Sequence, residues 1–293
     1  MQNKLKGTGV AMVTPFKKDK SVDYYALTKL TKYLINGNVD FLVVMGTTGE
    51  NPTLSIKEQD EILNHIIEVS EKKLPIVYGI AGNNTQAVVG RIKNTDLTDV
   101  AAILSATPYY NKPSQKGLYS HYKAIAEASP VPVILYNVPG RTSVNLSADT
   151  CLQLANDFEN IVAVKEASAN LDQIMQIIKN KPEGFSVLSG DDAYTMPFIA
   201  MGMDGVISVT ANALPKQFSE MVNASLKCDT KLAQKLHYKL LDFSNSIFLD
   251  GNPSGIKAAL EVLGIMEQNV RLPLEPVCEG VYSIIEEHIK SLK

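Results

Sequence analysis

Lys165 closes a short apolar run, Ile161-Val162-Ala163-Val164, and Glu166 follows it. Such a β-branched run is too short for a helix and suits a strand buried on both faces. Side chains alternate along a strand, which puts Ile161, Ala163 and Lys165 on one face and Val162, Val164 and Glu166 on the other. Small Ala163 leaves room beside the lysine. An amine in a dry, confined site gives up its proton more readily than in water and becomes a nucleophile. The chemistry on offer is a Schiff base with a carbonyl substrate. A lysine snorkelling to solvent from a strand end would show the same local sequence.

Groups that could serve such an amine end other apolar runs. Tyr136 follows Val131-Pro132-Val133-Ile134-Leu135 and shares a face with Ile134. Its phenol would reach the same mouth as Lys165, where it can shuttle protons or simply complete the core. Glu166 points the other way by alternation and is excluded as the acid. In Gly46-Thr47-Thr48-Gly49-Glu50, glycines flank two threonines, so backbone N–H groups and hydroxyls can converge on a small anion. A plain glycine turn reads identically. Tyr109 and Tyr110 follow Thr107-Pro108 and suit packing or an interface. Arg141, in Asn137-Val138-Pro139-Gly140-Arg141-Thr142, offers a planar fork for a carboxylate, though a solvated loop arginine is as common. The aspartates of Ser189-Gly190-Asp191-Asp192 fit helix N-capping better than metal binding. His65, His121, His237 and His288 show no metal-ligand spacing, so a zinc-dependent mechanism is not expected. No Walker loop or Gly-x-Ser-x-Gly elbow occurs.

The elements that must position these groups recur along the chain. Short apolar runs lie near residues 10–13, 41–44, 76–78, 101–104, 131–135, 161–164, 186–188 and 205–208, a spacing of about 20 to 35 residues that fits a strand plus a helix. Amphipathic stretches lie between them. Ser21 and Asp23 open the first, Ser55 with Glu58 makes a capping box, and Asn84, Ser114, Ser147 and Asn170 can cap later ones. Strands alternating with helices mean a parallel α/β sheet. Roughly eight repeats predict a closed (β/α)8 TIM barrel, with chemistry at the C-terminal ends of the strands. An open doubly wound sheet fits less well, because no Gly-x-Gly-x-x-Gly follows the first strand. After about residue 216 the strand runs stop, and 218–226, 231–248, 255–263 and 275–292 read as helices. The expected organisation is a barrel catalytic domain over 1–215 and a C-terminal helical domain over 216–293.

Composition narrows the function classes. The chain has 293 residues, a net charge of -3 and 45% hydrophobic residues, enough for a sizeable core. That balance gives no footprint for nucleic acid or an anionic membrane. The N-terminal run from Met1 to Gly7 lacks the apolar centre of a signal peptide, and no apolar run approaches a membrane span. Cys151, Cys228 and Cys278 are scattered and odd in number, which suggests reduced thiols and a cytoplasmic setting.

Taken together, Gly46-Thr47-Thr48-Gly49-Glu50, Tyr136-Asn137-Val138-Pro139 and Val164-Lys165-Glu166 resemble the pyruvate-dependent class I aldolase and lyase superfamily over essentially the whole chain. Thr107-Pro108-Tyr109-Tyr110-Asn111-Lys112-Pro113 and Gly140-Arg141-Thr142 make the chain most similar to the dihydrodipicolinate synthase family, also called 4-hydroxy-tetrahydrodipicolinate synthases. The resemblance implies a lyase of lysine and diaminopimelate biosynthesis that condenses pyruvate with aspartate 4-semialdehyde through a covalent Schiff base on Lys165, with no cofactor and no metal. It implies that Tyr136, Thr47 and Tyr110 relay protons, with Tyr110 reaching in from a neighbouring subunit of a dimer of dimers. It further implies that Thr47 and Thr48 bind the pyruvate carboxylate, that Arg141 binds the semialdehyde carboxylate, and that Gly190 and Ile207 shape the pocket. Feedback by lysine is expected to be weak or absent. Tyr109 and Asn83 match the family's lysine site, but Asn51, Pro52, Ile56 and Gln59 replace the small and histidine-bearing residues of sensitive members, and Ala87 stands where those carry the acidic residue that an amine needs. The alternatives are N-acetylneuraminate lyase or another pyruvate aldolase, which Arg141 argues against, and a non-catalytic keto-acid-binding barrel.

Overall fold

The computed structural model describes residues 5–292. Met1 to Lys4, part of the stretch read above for a leader, lie outside the described residues. Strands and helices alternate: β1 (Gly7–Ala11), α1 (Tyr24–Asn36), β2 (Phe41–Val44), α2 (Ile56–Ser70), β3 (Ile76–Gly79), α3 (Thr85–Asn94), β4 (Ala102–Ala106), α4 (Gln115–Ala128) and β5 (Val133–Asn137). The chain continues through α5 (Pro139–Thr142), α6 (Ala148–Asp157), β6 (Ile161–Glu166), α7 (Leu171–Asn180), β7 (Ser186–Ser189), α8 (Thr195–Ala200) and β8 (Gly205–Ser208). The strands pair in sequence order, all parallel, and β8 closes on β1 to complete an eight-stranded barrel. Helix starts follow the chemistry of their caps. The side chains of Asp23, Ser55, Asn84, Ser114, Ser147 and Asn170 accept from first-turn amides, and Ser55 with Glu58 forms a full capping box. Each such cap is worth about 1 kcal/mol.

Alternation sorts the side chains into two apolar layers. Phe41, Val43, Leu104, Ile134, Tyr136, Ala163, Leu188 and Ile207 fill the barrel interior. Leu42, Val44, Ile103, Val133, Leu135 and Val164 face outward and pack with Leu30, Ile62, Leu118 and Ile177 of the surrounding helices. Two expectations need correction here. The first strand begins earlier than 10–13, because Gly7, Thr8 and Gly9 belong to it. Gly9 is needed there, since a Cβ would lie 2.2 Å from the Phe41 ring that fills the barrel. In β6 the pairing slips between Ile161 and Ala163, which oppose consecutive Val133 and Ile134. This bulge turns Ile161 to the outer layer with Val164, and regular alternation begins only at Ala163.

Beyond β8 the chain is helical: α9 (Pro215–Leu226), α10 (Thr230–Ser246), α11 (Ser254–Val262) and α12 (Glu279–Leu292). Pro215 occupies the first turn of α9, where a missing N–H costs nothing. The last helix starts at Glu279 rather than 275, because Pro276 disfavours helix at the preceding residue. The segment between α11 and α12 is irregular and lies against the barrel mouth, where Asn269 Nδ2 donates to the Phe16 carbonyl at 3.2 Å. No helix among the described residues is long and apolar enough to cross a membrane.

Candidate active site

The C-terminal strand ends surround a cavity of about 390 Å3 lined by Thr47, Thr48, Tyr136, Arg141, Lys165, Gly190 and Asp191, among others. That size lies in the ordinary range for small-molecule sites. Lys165 is 6% exposed and comes from β6, with Tyr136 of β5 and Leu188 of β7 as its register partners. Its Nζ lies over the Tyr136 ring, 4.4 Å from the centroid, so the amine meets the ring face. Among the described residues no carboxylate forms an ion pair with it. Gly190 makes room for this side chain, since a Cβ there would come within 3.1 Å of Lys165 Cε and 2.6 Å of Ala167 Cβ. Glu166 does point outward. It accepts from Asn137 Nδ2 at 3.1 Å, Gln173 Nε2 at 3.0 Å and Ser168 N at 2.7 Å, a network that fixes β6 from behind.

The Thr47-Thr48-Gly49 turn is strained and clamped. Met45 (φ +59°) and Glu50 (φ +56°) bracket it in the left-handed region, at a cost of order 1–3 kcal/mol each that the surroundings must offset. The clamp comes from the C-terminal segment, from Lys257 of α11 and from Asn252 and Arg271 in the irregular stretches on either side of that helix. Asn252 Nδ2 donates to Thr48 Oγ1 at 3.0 Å, which leaves the threonine proton free to donate into the cavity. Glu50 is fully buried and accepts from Lys257 Nζ through Oε1 and from Arg271 N at 2.9 Å through Oε2. Lys257 also donates to Asn269 O at 2.8 Å. Phe16 is flanked by Lys257 Nζ at 4.2 Å and the Arg271 guanidinium at 4.5 Å. Burial pushes the Lys257 ammonium down to about 8, against the opposing pull of Glu50. None of Asn252, Lys257 and Arg271 stands out in the sequence, because their partners lie more than two hundred residues away.

Arg141 is exposed and reaches the cavity from short α5, whose Thr142 Oγ1 accepts from Thr107 Oγ1 at 3.1 Å. The aspartates after β7 do not cap a helix, which corrects the sequence reading: α8 has no side-chain cap. Instead Asp192 Oδ2 accepts from Val209 N at 2.9 Å and Thr210 N at 2.6 Å and holds the loop after β8. Burial pushes that carboxyl upward. Ile207, expected to shape the pocket through its backbone, and Tyr110, expected to serve a neighbouring subunit, are not among the residues lining this chain's cavity. Ile207 lies in the interior layer at 1% exposure, and Tyr110 is 84% exposed at φ +77°. Three of the histidines meet hydroxyls: His65 with Thr28, His121 with Thr85 and His288 with Ser246. Among the described residues no cluster of three or more His, Cys, Asp or Glu could hold a metal.

A buried unpaired amine, a phenol beside it, a hydroxyl pair and a guanidinium around one cavity suit covalent chemistry on a keto acid. Known proteins carry the same arrangement of chain. A sequence profile of the dihydrodipicolinate synthetase family matches residues 4–292. A 4-hydroxy-tetrahydrodipicolinate synthase of Phocaeicola vulgatus is 54% identical, covering 100% of this chain and 99% of the relative. The crystal structure of dihydrodipicolinate synthase from Aquifex aeolicus superposes with a TM-score of 0.94 at 39% identity, covering 98% of this chain and 97% of that one. A chloride-inhibited dihydrodipicolinate synthase from Acinetobacter baumannii, complexed with pyruvate, gives a TM-score of 0.95 at 40% identity over 98% of this chain and 99% of that one. The chain therefore belongs to the dihydrodipicolinate synthetase family, and it is an enzyme, a lyase of the class I aldolase type.

Proposed function

We propose that Lys165 is the Schiff-base lysine of a condensation between pyruvate and aspartate 4-semialdehyde. The observation that carries this reading is the nearly buried Lys165 amine, free of any carboxylate, over the Tyr136 ring in the cavity. Its lone pair attacks the pyruvate ketone, water leaves, and a cationic imine forms. The imine withdraws electrons, so the pyruvate methyl group loses a proton and becomes an enamine. The enamine carbon attacks the semialdehyde aldehyde, whose oxygen takes up a proton. The substrate's amine then adds to the imine carbon and closes the ring, its proton passes to the Lys165 nitrogen, and the bond to Lys165 breaks to release the free amine.

Tyr136 suits proton transfer at the imine, and Thr47 lines the same cavity. Thr48, freed as a donor by Asn252, suits the pyruvate carboxylate together with Thr47. Arg141 suits the second carboxylate, which a sugar aldehyde lacks. No step draws on a metal or cofactor. Tyr110 lies outside its own chain's cavity while Thr47 lines it, which supports a relay completed by a second copy in a homo-oligomer. Three free cysteines, two of them exposed, fit a reducing, cytoplasmic setting.

The test is covalent trapping. Incubation with pyruvate and borohydride should add one reduced pyruvyl group to Lys165, read by peptide mass spectrometry. Labelling elsewhere, or no labelling, overturns the assignment.

A further inference from the structure

The charges of the cavity leave one group without a task. Once pyruvate is bound, the imine on Lys165 and the Arg141 guanidinium carry one positive charge each, and the pyruvate and semialdehyde carboxylates balance them one for one. Among the described residues lining the cavity, the one carboxylate is Asp191. Its backbone is fixed on both sides: Asp191 N donates to Ser189 Oγ at 3.1 Å, and its carbonyl accepts from Ser189 Oγ at 2.9 Å and Thr195 Oγ1 at 2.8 Å. Its carboxylate accepts from Ala193 N, at 3.1 Å through Oδ1, and from the Tyr194 N–H, and among the described residues no cation pairs with it. It follows Gly190, where a Cβ would come within 3.1 Å of Lys165 Cε, and it lines the same cavity as the lysine. Aspartate 4-semialdehyde differs from a plain semialdehyde in its α-ammonium group, and an ammonium in a confined cavity needs an anionic acceptor. The buried acceptor Oδ1 of Asn252 has no surface toward the cavity.

We propose that the Asp191 carboxylate receives the α-ammonium group of aspartate 4-semialdehyde and so selects the amino-bearing aldehyde over its deaminated analogue. This rests on the pyruvate–semialdehyde reading above and deepens it. Burial, then the neighbouring Asp192 charge, raises the Asp191 carboxyl, which makes it a better proton acceptor for an amine that must be neutral before it can close the ring.

The experiment compares two ligands on the pyruvate-loaded, full-length enzyme. Aspartate 4-semialdehyde is followed by kcat/KM. Succinic semialdehyde, the same molecule without the amine, is followed by its constant for competitive inhibition. Asp191→Asn removes the charge and keeps one acceptor oxygen for the Ala193 and Tyr194 amides. It should lower kcat/KM for the amino substrate about tenfold to a hundredfold, the worth of one hydrogen bond to a charged group. The inhibition constant of succinic semialdehyde should stay the same or tighten. Asp191→Glu, which restores the charge, should regain part of the loss. Equal losses toward both ligands, or no loss toward either, overturn the proposal. Borohydride trapping of pyruvate on the unsubstituted chain reports on Lys165 separately, so failure of that reading is told apart from failure of this one.

Discussion

Replacing Lys257 by methionine removes one charge from a pair that is wholly out of water. Glu50 keeps its carboxylate but retains only the Arg271 amide as a donor, and the Asn269 carbonyl loses its partner. Breaking a buried pair from one side costs about 3–5 kcal/mol, because the remaining ion is uncompensated. That is a large fraction of a total stability of roughly 5–15 kcal/mol. Adding Glu50→Gln to Lys257→Met removes the stranded charge and still offers the Arg271 amide an oxygen. What remains is the orphaned Asn269 carbonyl, at about 1–3 kcal/mol. The double variant should therefore be about 2 kcal/mol more stable than the single one. Urea unfolding followed by far-ultraviolet circular dichroism and tyrosine fluorescence reads both values. Because Glu50 ends the Thr47-Thr48-Gly49 turn, both variants should also raise the KM for pyruvate. A single variant within 1 kcal/mol of wild type, or a double variant no more stable than the single, refutes the reasoning.

Gly190→Ala places a methyl group against Lys165 Cε and Ala167 Cβ. An ångström of displacement at a reacting group costs about a hundredfold, so trapping by pyruvate should slow by about that factor; an unaltered rate would mean the amine has room to spare. Tyr136→Phe keeps the ring under the Lys165 amine but deletes the hydroxyl, and turnover should fall about 10²- to 10⁴-fold while the protein stays folded; wild-type turnover would remove Tyr136 from the proton path. Burial pushes the His121 imidazole down to about 4, below its ordinary 6.5. The unfolded chain therefore binds the extra proton first, and stability is lost as pH falls from about 6.5 toward 4, by up to about 3 kcal/mol. His121→Gln should flatten that acid limb, and an unchanged limb would assign it to other groups. Asn51 and Gln59 spend their amides on backbone carbonyls and each other, and Ala87 offers no charge, so turnover should be insensitive to micromolar lysine; half-maximal inhibition in that range would contradict this.

The strands and caps were legible because both are local signals. The β-branched runs mark strands, and Ser55, Asn84, Ser114, Ser147 and Asn170 each stand where a helix begins. The facing of Lys165 and Glu166 followed from alternation alone. Alternation failed two residues before Ala163, since a bulge needs no particular residue and shows only in the pairing of two strands. β1 was misplaced because Gly7 and Gly9 look like turn residues; their smallness serves Phe41 and the Asp40 side chain across the sheet. Asp192 has the composition of a cap but bonds the loop that follows β8. Thr47, Thr48, Tyr136, Arg141 and Gly190 were identified by their places at strand ends and by family resemblance. Asn252, Lys257 and Arg271 carry no local signature, because what gives them meaning is a partner at the far end of the chain.

That long reach has a consequence for biogenesis. Translation delivers β8 by residue 208, so every strand has emerged while Asn252, Lys257 and Arg271 are still unmade. A nascent barrel can close before its Thr47-Thr48-Gly49 turn has anything to hold it. The turn at the barrel mouth is thus secured late in synthesis, with the C-terminal segment acting as the last fastening rather than as an appendage.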